Sequence, residues 1–274
     1  MFKLINYDKL SKLLDTINQT HTSFFSQFGE EITWKINPSN AVTKEAQLRF
    51  LFFTVMLDYS TLSEQLYYRM KELYERNPHL FDPKFILSGN ITEQQLSENF
   101  LREKIRPRYP RKAVERWFKL SYYVYVMYRG LFTNILEGVE SYDLVRQRID
   151  NLPGYGPKLT SLIIKFLIKR GFLPRSMEFE LDIPVDVHVK RILYYTGVTD
   201  REEVSESEIN AIQEAFKAKC KEMHLSPIIV DDYLWVLGSR LCCCKKPGKP
   251  CHCEKCSICP LRSLCKKGSE VIIR

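Results

Sequence analysis

The sequence lacks the features of membrane-spanning and secreted proteins. No window approaches the roughly eighteen uninterrupted apolar residues of a transmembrane helix, so no such helix is expected. The first residues, Met1 to Asp8, mix apolar, polar and charged side chains, which is not the pattern of a secretory signal. Repeats and low-complexity tracts are absent, and almost no segment alternates convincingly like a strand. We therefore expect a protein that neither spans a membrane nor is secreted.

The composition permits a large folded core and favours a negatively charged partner. The chain has 274 residues, 45% of them hydrophobic, which is enough for one large or two modest domains. Its 41 lysines and arginines exceed its 33 acidic residues, which gives a net charge of +8. This excess favours a polyanionic partner, although charge alone says nothing about the fold.

Helical periodicity dominates the sequence and predicts an all-α fold. At least nine segments place apolar residues at helical spacing. They include residues 41–57, 62–73, 93–101, 205–223 and 227–237, with Gly238 expected to close the last of these. Two segments are predicted otherwise: residues 32–36 alternate like a short extended piece, and residues 171–180 form a loop.

The stretch Asn151–Lys158 has the pattern of a tight turn between two helices. Pro153 ends the preceding helix, and Gly154 and Gly156 permit backbone angles that other residues avoid. Pro157 suits the first turn of the next helix, because it has no N–H to leave unpaired there. The turn and the helix N-terminus would point N–H groups outward, which predicts an anion site.

Lys158 and Asp186 are the candidate catalytic residues. Lys158 is either a phosphate-contacting or solvated lysine, or an amine nucleophile. A nucleophilic amine must be neutral part of the time, and the helix N-terminus and nearby basic residues favour that form. Asp186 is placed to cap a helix that runs to about Tyr195 and stops at Gly197. A capping carboxylate can still face a reaction site, whereas His188 is expected only to pack or to lie on the helix surface.

Residues 102–119 are the most basic part of the chain. Two prolines fix a turn around Arg108 and Tyr109, which is either a phosphate-contacting turn or part of a solvated face. The helix predicted next, Ala113–Tyr128, is rich in aromatic residues at helical spacing, which predicts core packing. These aromatic residues are Trp117, Phe118, Tyr122, Tyr123 and Tyr125.

Eight of the nine cysteines lie between Cys242 and Cys265. In a long chain without an export signal, such a cluster indicates metal ligands rather than disulfides. Cys256, Cys259 and Cys265 form a compact set, which a fourth upstream thiol would complete as a zinc site or a cubane iron–sulfur cluster. Cys242 follows a predicted helix directly, which would hold it rigidly. The rival fourth ligands are Cys244, Cys251 and Cys253, and the surplus thiols leave a second site open.

Taken together, these motifs resemble the helix-hairpin-helix DNA glycosylases, especially the endonuclease III branch. In chain order the motifs are Leu152-Pro153-Gly154-Tyr155-Gly156-Pro157-Lys158, Pro184-Val185-Asp186-Val187-His188, and Gly238 followed by Cys242, Cys256, Cys259 and Cys265. The resemblance covers roughly residues 41–265. The second motif also looks like the 8-oxoguanine glycosylase branch. The segment from Tyr109 to Ala113 is similar to the loop from which endonuclease III inserts a wedge into the base stack.

The resemblance implies two helical lobes with a DNA-binding cleft between them. Residues 41–170 would form a six-helix lobe that carries the hairpin. Residues 1–40 and 171–274 would form the second lobe, in which the cysteine loop 242–265 holds a [4Fe–4S] cluster. The implied ligands are Cys242, Cys256, Cys259 and Cys265, with zinc as the alternative metal.

The resemblance also implies excision of a damaged base from duplex DNA by a monomer, located in the cytoplasm with the nucleoid or in the nucleus. The damaged base would flip out, and Lys158 would attack C1′ of its sugar. Asp186 would activate the lysine or stabilise positive charge on the sugar, and β-elimination would nick the strand 3′ to the lesion. The implied DNA contacts are Gly154, Tyr155 and Gly156, with a monovalent cation, and Arg108, Tyr109, Arg111 and Lys112.

The sequence departs from the family pattern at two places. Lys158 and Asp186 are 28 residues apart, a longer gap than usual, and the extra residues around 170–180 either reshape the substrate pocket or form a surface loop. Lys249 stands where the usual spacing places a cysteine.

Three alternative functions remain: a non-catalytic or monofunctional DNA-binding protein, a mismatch uracil or thymine glycosylase, and a zinc-stabilised RNA-binding protein. The sequence does not decide whether the excised base is an oxidised pyrimidine or an oxidised guanine.

Overall fold

The computed structural model describes residues 4–58, 62–242 and 254–266, and this part of the chain is mainly helical. Its α-helices are α1 (Tyr7–Phe28), α2 (Lys44–Met56), α3 (Ser63–Arg76), α4 (Pro83–Leu87), α5 (Glu93–Arg102), α6 (Pro110–Tyr128), α7 (Tyr142–Asp150), α8 (Pro157–Lys169), α9 (Val187–Thr196), α10 (Glu206–Glu222) and α11 (Pro227–Val236). The one extended pairing in these described ranges is an isolated bridge between Ile5 and Thr199. The prediction of an all-α fold is confirmed.

The chain divides into two compact units. Residues 32–177 form one, called here the hairpin unit, and residues 1–31 with 178–274 form the other, called the cysteine unit. The boundaries predicted from the sequence lie at 40/41 and 170/171 instead. Arg170 accounts for much of the difference. Its guanidinium donates hydrogen bonds to the carbonyls of Trp34 (2.7 Å) and Ile36 (2.8 Å) and to Oδ1 of Asn37 (3.2 Å), which ties the segment before α2 to the end of α8.

The core of the hairpin unit is built around α2. This helix is buried almost all round from Leu48 to Met56. It has apolar residues on every side, and a helix of that kind is stable only when it is surrounded by other parts of the protein. Phe53 stacks on Trp117 of α6, with ring centroids 4.2 Å apart. The Trp117 indole N–H donates to the carbonyl of Leu80 at 2.8 Å, so its one polar group is satisfied in the core.

The core of the cysteine unit joins α1 to the helices after residue 186. Leu10, Leu13, Leu14 and Ile17 of α1 are fully buried in it. Phe24 packs on Tyr233 of α11 with ring centroids 4.1 Å apart, and the Tyr233 hydroxyl lies 2.9 Å from that of Thr20. The N-terminal helix is therefore an integral part of this unit.

Three local predictions are wrong. Residues 32–36 contain a 3-10 turn, Thr33–Lys35, which the hydrogen bonds from Arg170 hold in place. Residues 171–180 are more than a loop, because Arg175–Glu180 is a 3-10 turn that buries Met177. Gly238 does not end α11, because a π-helical turn, Leu237–Leu241, continues it to Cys242.

The predicted aromatic helix differs from the structure in its start and in its packing. It begins at Pro110 rather than Ala113, since proline suits the first position of a helix. Trp117 is fully buried, as core packing predicts. Tyr122 and Tyr125 are 62% and 47% exposed, so the prediction that all of its aromatic residues pack in the core is wrong.

None of the helices in the described ranges is long and apolar enough to cross a membrane.

Candidate functional site

The predicted turn joins α7 to α8. α7 ends at Asp150, three residues before Pro153, and the Tyr155 N–H donates to the carbonyl of Leu152 at 3.1 Å to close the turn. α8 then begins at Pro157. The amides of Gly154 and Gly156 donate to no described residue. Together with the N-terminus of α8, they form a set of unused donors of the kind that binds an anion.

Gly154 is required by the structure, whereas Gly156 is not required for its backbone angles. Gly154 has φ +92°, and a Cβ there would lie 2.8 Å from Cγ of Met56. Gly156 has φ −137° and ψ 176°, which is ordinary extended backbone, and nothing lies within 4 Å of its added Cβ. The expectation that Gly156 needs special angles is therefore wrong. The open space beside it is room for a close approach to the backbone.

The Tyr155 side chain anchors the turn. Its hydroxyl donates to the backbone carbonyl of Phe52 at 2.7 Å, and burial raises the pKa of Tyr155 well above its usual value. Both Phe52 and Met56 lie on α2 and are buried. Local sequence patterns do not reveal these two supports, since their contact with the turn joins residues about a hundred positions apart.

Lys158 is the second residue of α8 and is half-buried. Its amine forms no hydrogen bond or ion pair within the part of the chain that the structure describes. It lies beside the unused amides of the turn, at the positive end of the helix dipole. This arrangement brings an anion site and an uncommitted amine together in one short segment.

Asp186 caps α9, as predicted. Its Oδ1 accepts hydrogen bonds from the amides of His188 (2.8 Å) and Val189 (3.0 Å), and Gly197 ends the helix with φ +74°. Oδ2 of the same carboxylate accepts no hydrogen bond from any described residue. The carboxylate is thus fixed by one oxygen and has the other available for chemistry.

His188 packs against Gly238, which explains the glycine of the third motif. A Cβ at Gly238 would lie 2.6 Å from Cβ of His188, a distance that real structures do not tolerate. The π-helical turn that contains Gly238 leads directly to Cys242, so this close approach connects the start of α9 to the segment that carries the first cysteine. The Nδ1 atom of His188 is buried and has no hydrogen-bond partner within the described ranges.

The basic turn before α6 places its charges in solvent. Tyr109 is 46% exposed, with the Arg108 guanidinium 5.3 Å and the Lys112 ammonium 5.7 Å from its ring centroid. Arg111 is also exposed. An exposed aromatic ring between cations suits contact with a nucleic acid, where phosphates bind the cations and the ring contacts a base.

The four predicted cysteine ligands lie in one neighbourhood of the cysteine unit. Cys242, Cys256 and Cys265 pack against the buried Tyr195, and Cys242 and Cys259 pack against the main core of the unit. All four are half-buried. Two segments thus place cysteines against shared neighbours, and thiolates are the usual ligands of zinc and of iron–sulfur clusters. In the described ranges, however, no three His, Cys, Asp or Glu side chains take up a metal-binding arrangement, and Cys244, Lys249, Cys251 and Cys253 lie outside those ranges.

The chain is similar to known proteins in its structure. No protein-family model matches the chain, and no curated protein matches it in sequence. A trapped endonuclease III–DNA covalent intermediate in an estranged-adenine complex aligns with a TM-score of 0.56 and 18% identity, over 93% of this chain and 97% of that one. A non-covalent endonuclease III–DNA complex gives 0.55 and 17%, over 93% and 96%. A thermostable thymine-DNA glycosylase gives 0.52 and 16%, over 92% and 98%.

Proposed function

Because the chain has the all-α fold of endonuclease III, we propose that it is a base-excision-repair DNA glycosylase with AP lyase activity. The observation that carries the proposal is the position of Lys158. Its amine has no described partner and follows a turn whose amides are also unused. An anion site next to a nucleophile suits a reaction at a sugar whose neighbouring phosphate is held in place. One similar structure is itself a covalent intermediate of its enzyme with DNA.

Binding in this proposal begins with the DNA backbone. A phosphate oxygen accepts from the amides of Gly154 and Gly156 and from the N-terminus of α8, since the space beside Gly156 is open. Tyr109 enters the gap that a flipped base leaves, and Arg108, Arg111 and Lys112 contact flanking phosphates. The net charge of +8 favours such binding to duplex DNA.

Chemistry follows at the sugar. The neutral amine of Lys158 forms a bond to C1′, and the glycosidic bond breaks with its electron pair leaving on the base. Oδ2 of Asp186 accepts the proton that the lysine nitrogen loses, or stabilises positive charge on the sugar, while Oδ1 stays bound to the amides of α9. The sugar ring opens to an imine, a proton leaves C2′, and the C3′–O bond breaks on the 3′ side of the lesion.

The cysteine unit would hold a [4Fe–4S] cluster through Cys242, Cys256, Cys259 and Cys265, with zinc as the alternative. When bound, this group supplies metal–sulfur bonds that cross-link the segment after α11, which stabilises folding. A brown protein prepared without oxygen supports the cluster, and a colourless protein with one zinc per chain supports zinc.

Borohydride trapping tests the reaction. Wild-type protein incubated with abasic duplex DNA and sodium borohydride should form a stable covalent adduct, and Lys158→Ala should form none. Lys44→Ala is the matched control, because Lys44 is an exposed lysine in the first turn of α2. An adduct of undiminished yield with Lys158→Ala, or no adduct with wild type, would refute the assignment.

A second candidate differs only in the base removed. One of the similar structures is a thymine-DNA glycosylase, which favours a test of mismatched thymine and uracil beside oxidised bases. The same trapping experiment on duplexes with each lesion identifies the substrate, since the fastest-trapped duplex contains the preferred base.

A further inference from the structure

The second half of α6 exposes a continuous apolar surface. Tyr122, Tyr125, Val126 and Met127 are 62%, 47%, 54% and 60% exposed, and they lie within six successive residues. We call these four residues the α6 face. By contrast, Val42 and Leu101 have no other exposed large apolar residue close to them along the described chain. Single exposed apolar side chains are normal on soluble proteins, whereas a contiguous group indicates an interaction site.

A groove adjoins the α6 face and gives it a concave part. It has a volume of about 360 Å³. Its lining residues come from α4, α6 and the hairpin turn and are Leu87, Phe118, Lys119, Tyr122, Tyr123 and Pro153. Lys119 is the one charged residue among them. A concave apolar site beside exposed aromatic rings has the form that accepts an anchoring side chain of a partner.

The charge around the α6 face is positive. Lys119 lies on the groove and Arg129 is exposed just beyond the end of α6. Lys84 of α4 meets Tyr125 beside Gly130, where an added Cβ would lie 3.2 Å from Lys84 Cε and 3.5 Å from Tyr125 Cδ2. Glu115, the one carboxylate of α6 itself, pairs with Lys119 at 2.5 Å. A partner that fits this surface therefore has apolar residues flanked by carboxylates.

We propose that the α6 face and its groove form a docking site for an acidic amphipathic helix of a partner protein. An apolar side chain of that helix enters the groove, and its carboxylates meet Lys84, Lys119 and Arg129. A helix laid along α6 would reach from the groove to Arg129, and its apolar stripe would cover Val126 and Met127. This function goes beyond the proposed DNA chemistry and does not depend on it.

Two other occupants fit less well. A second copy placed face to face would bring Lys119 and Arg129 against the same cations, which opposes association. A nucleic acid strand would satisfy the cations and the tyrosines, but it would leave the aliphatic Val126 and Met127 and the apolar groove without a matching group. An acidic amphipathic helix satisfies both the apolar and the charged parts.

Fluorescence anisotropy with defined probes tests the proposal. The main probe is a labelled 16-residue helical peptide with leucine or tryptophan at positions i, i+4 and i+7 and glutamates between them. Matched probes replace the glutamates by lysines, or the three anchors by alanines. Wild-type protein should bind the acidic probe with micromolar affinity and both matched probes at least tenfold more weakly. Tyr122→Glu should weaken the acidic probe at least tenfold, and Leu101→Glu, an exposed change elsewhere, should not.

Each other outcome overturns the proposal. Equal binding of the acidic and lysine probes, or affinity unchanged by Tyr122→Glu, excludes this surface as an acidic-helix site. Preferential binding of a labelled oligothymidylate that Tyr122→Glu abolishes assigns the surface to a nucleic acid strand. A concentration-dependent dimer in sedimentation that Tyr122→Glu dissociates assigns it to a second copy. Circular dichroism and thermal unfolding of Tyr122→Glu check that the variant is folded, and borohydride trapping with wild-type protein reports on the DNA reaction separately.

Discussion

The hydroxyl of Tyr155 donates a hydrogen bond to the backbone carbonyl of Phe52 at 2.7 Å, and this bond ties the hairpin turn to α2. The same turn contacts α2 a second time, where Gly154 lies against Met56. The turn that we propose as a phosphate site is therefore held by α2, which is buried almost all round from Leu48 to Met56. Its geometry depends on these two contacts.

Replacing Tyr155 with phenylalanine should lower the free energy of unfolding by about 1–2 kcal/mol, because the buried Phe52 carbonyl loses its side-chain donor. Burial raises the pKa of Tyr155 above its ordinary value of 10.0. The folded protein thus retains the phenol proton to higher pH than the unfolded chain. The stabilising contribution is complete below pH 10 and is lost as the pH rises from there toward the folded pKa.

Denaturant titrations of wild type and Tyr155→Phe at several alkaline pH values measure both effects. The difference between the two proteins should shrink above pH 10. Tyr122→Phe is the control, since that hydroxyl is on an exposed side chain. Equal losses for the two variants would show that the Tyr155 bond contributes nothing.

The two glycines of the turn should respond differently to alanine. Gly154→Ala forces a Cβ to within 2.8 Å of Met56 at φ +92°, so the free energy of unfolding should fall by about 1–3 kcal/mol. Gly156→Ala meets nothing within 4 Å and keeps an extended backbone, so stability should change by less than about 1 kcal/mol. Gly156→Ala should nevertheless weaken DNA binding, because the methyl group occupies the space proposed for the phosphate.

Thermal unfolding and DNA-binding anisotropy of the two variants provide the measurement. A Gly156→Ala protein with wild-type affinity for abasic duplex would place the phosphate elsewhere. A Gly154→Ala protein of wild-type stability would show that Met56 moves at no cost.

Signals that lie within a few residues of each other predict this structure well. Asp186 caps α9 as predicted, because the cap is a contact between residues two or three positions apart. The helix predicted from residue 205 is likewise present as α10, which begins with a capping box of Ser205 and Glu208. Features set by distant contacts are missed. The 3-10 turn at Trp34 depends on Arg170, and the close approach at Gly238 depends on His188. Exposure along α6 is missed as well, because periodicity identifies the helix and leaves open how much of its surface other elements cover.

Arg170→Ala should destabilise the hairpin unit by about 2–4 kcal/mol, because the carbonyls of Trp34 and Ile36 lose their donors. Arg170→Lys should recover only part of the loss, since an ammonium cannot reproduce the planar set of three hydrogen bonds. Arg175→Ala, at an exposed position five residues later, is the matched control. Chemical denaturation measures the three variants, and an Arg170→Ala loss no larger than that of Arg175→Ala would contradict the role.

Metal content should depend on Cys265 and not on Cys220. Burial raises the pKa of the Cys220 thiol to about 12, so this thiol stays protonated at neutral pH and is a poor ligand. Protein prepared without oxygen should contain iron and acid-labile sulfide, and Cys265→Ser should lose most of both, whereas Cys220→Ala should keep them. Elemental analysis gives the result. Zinc in place of iron supports the alternative metal, and unchanged metal content in Cys265→Ser removes that residue from the ligand set.

Asp186→Asn separates the structural role of this residue from its proposed catalytic role. An asparagine Oδ1 can still accept from the amides of His188 and Val189, so the cap on α9 and the stability should change little. The amide cannot accept a proton or balance positive charge as a carboxylate does, so single-turnover trapping on damaged duplex should slow by a factor on the order of 10² or more. Asp186→Ala should lose both functions, with about 1 kcal/mol of stability removed with the cap. If Asp186→Asn traps DNA at the wild-type rate while Asp186→Ala merely unfolds more easily, then Asp186 is a helix cap only, because the oxygen that the cap leaves unused would have no part in the reaction.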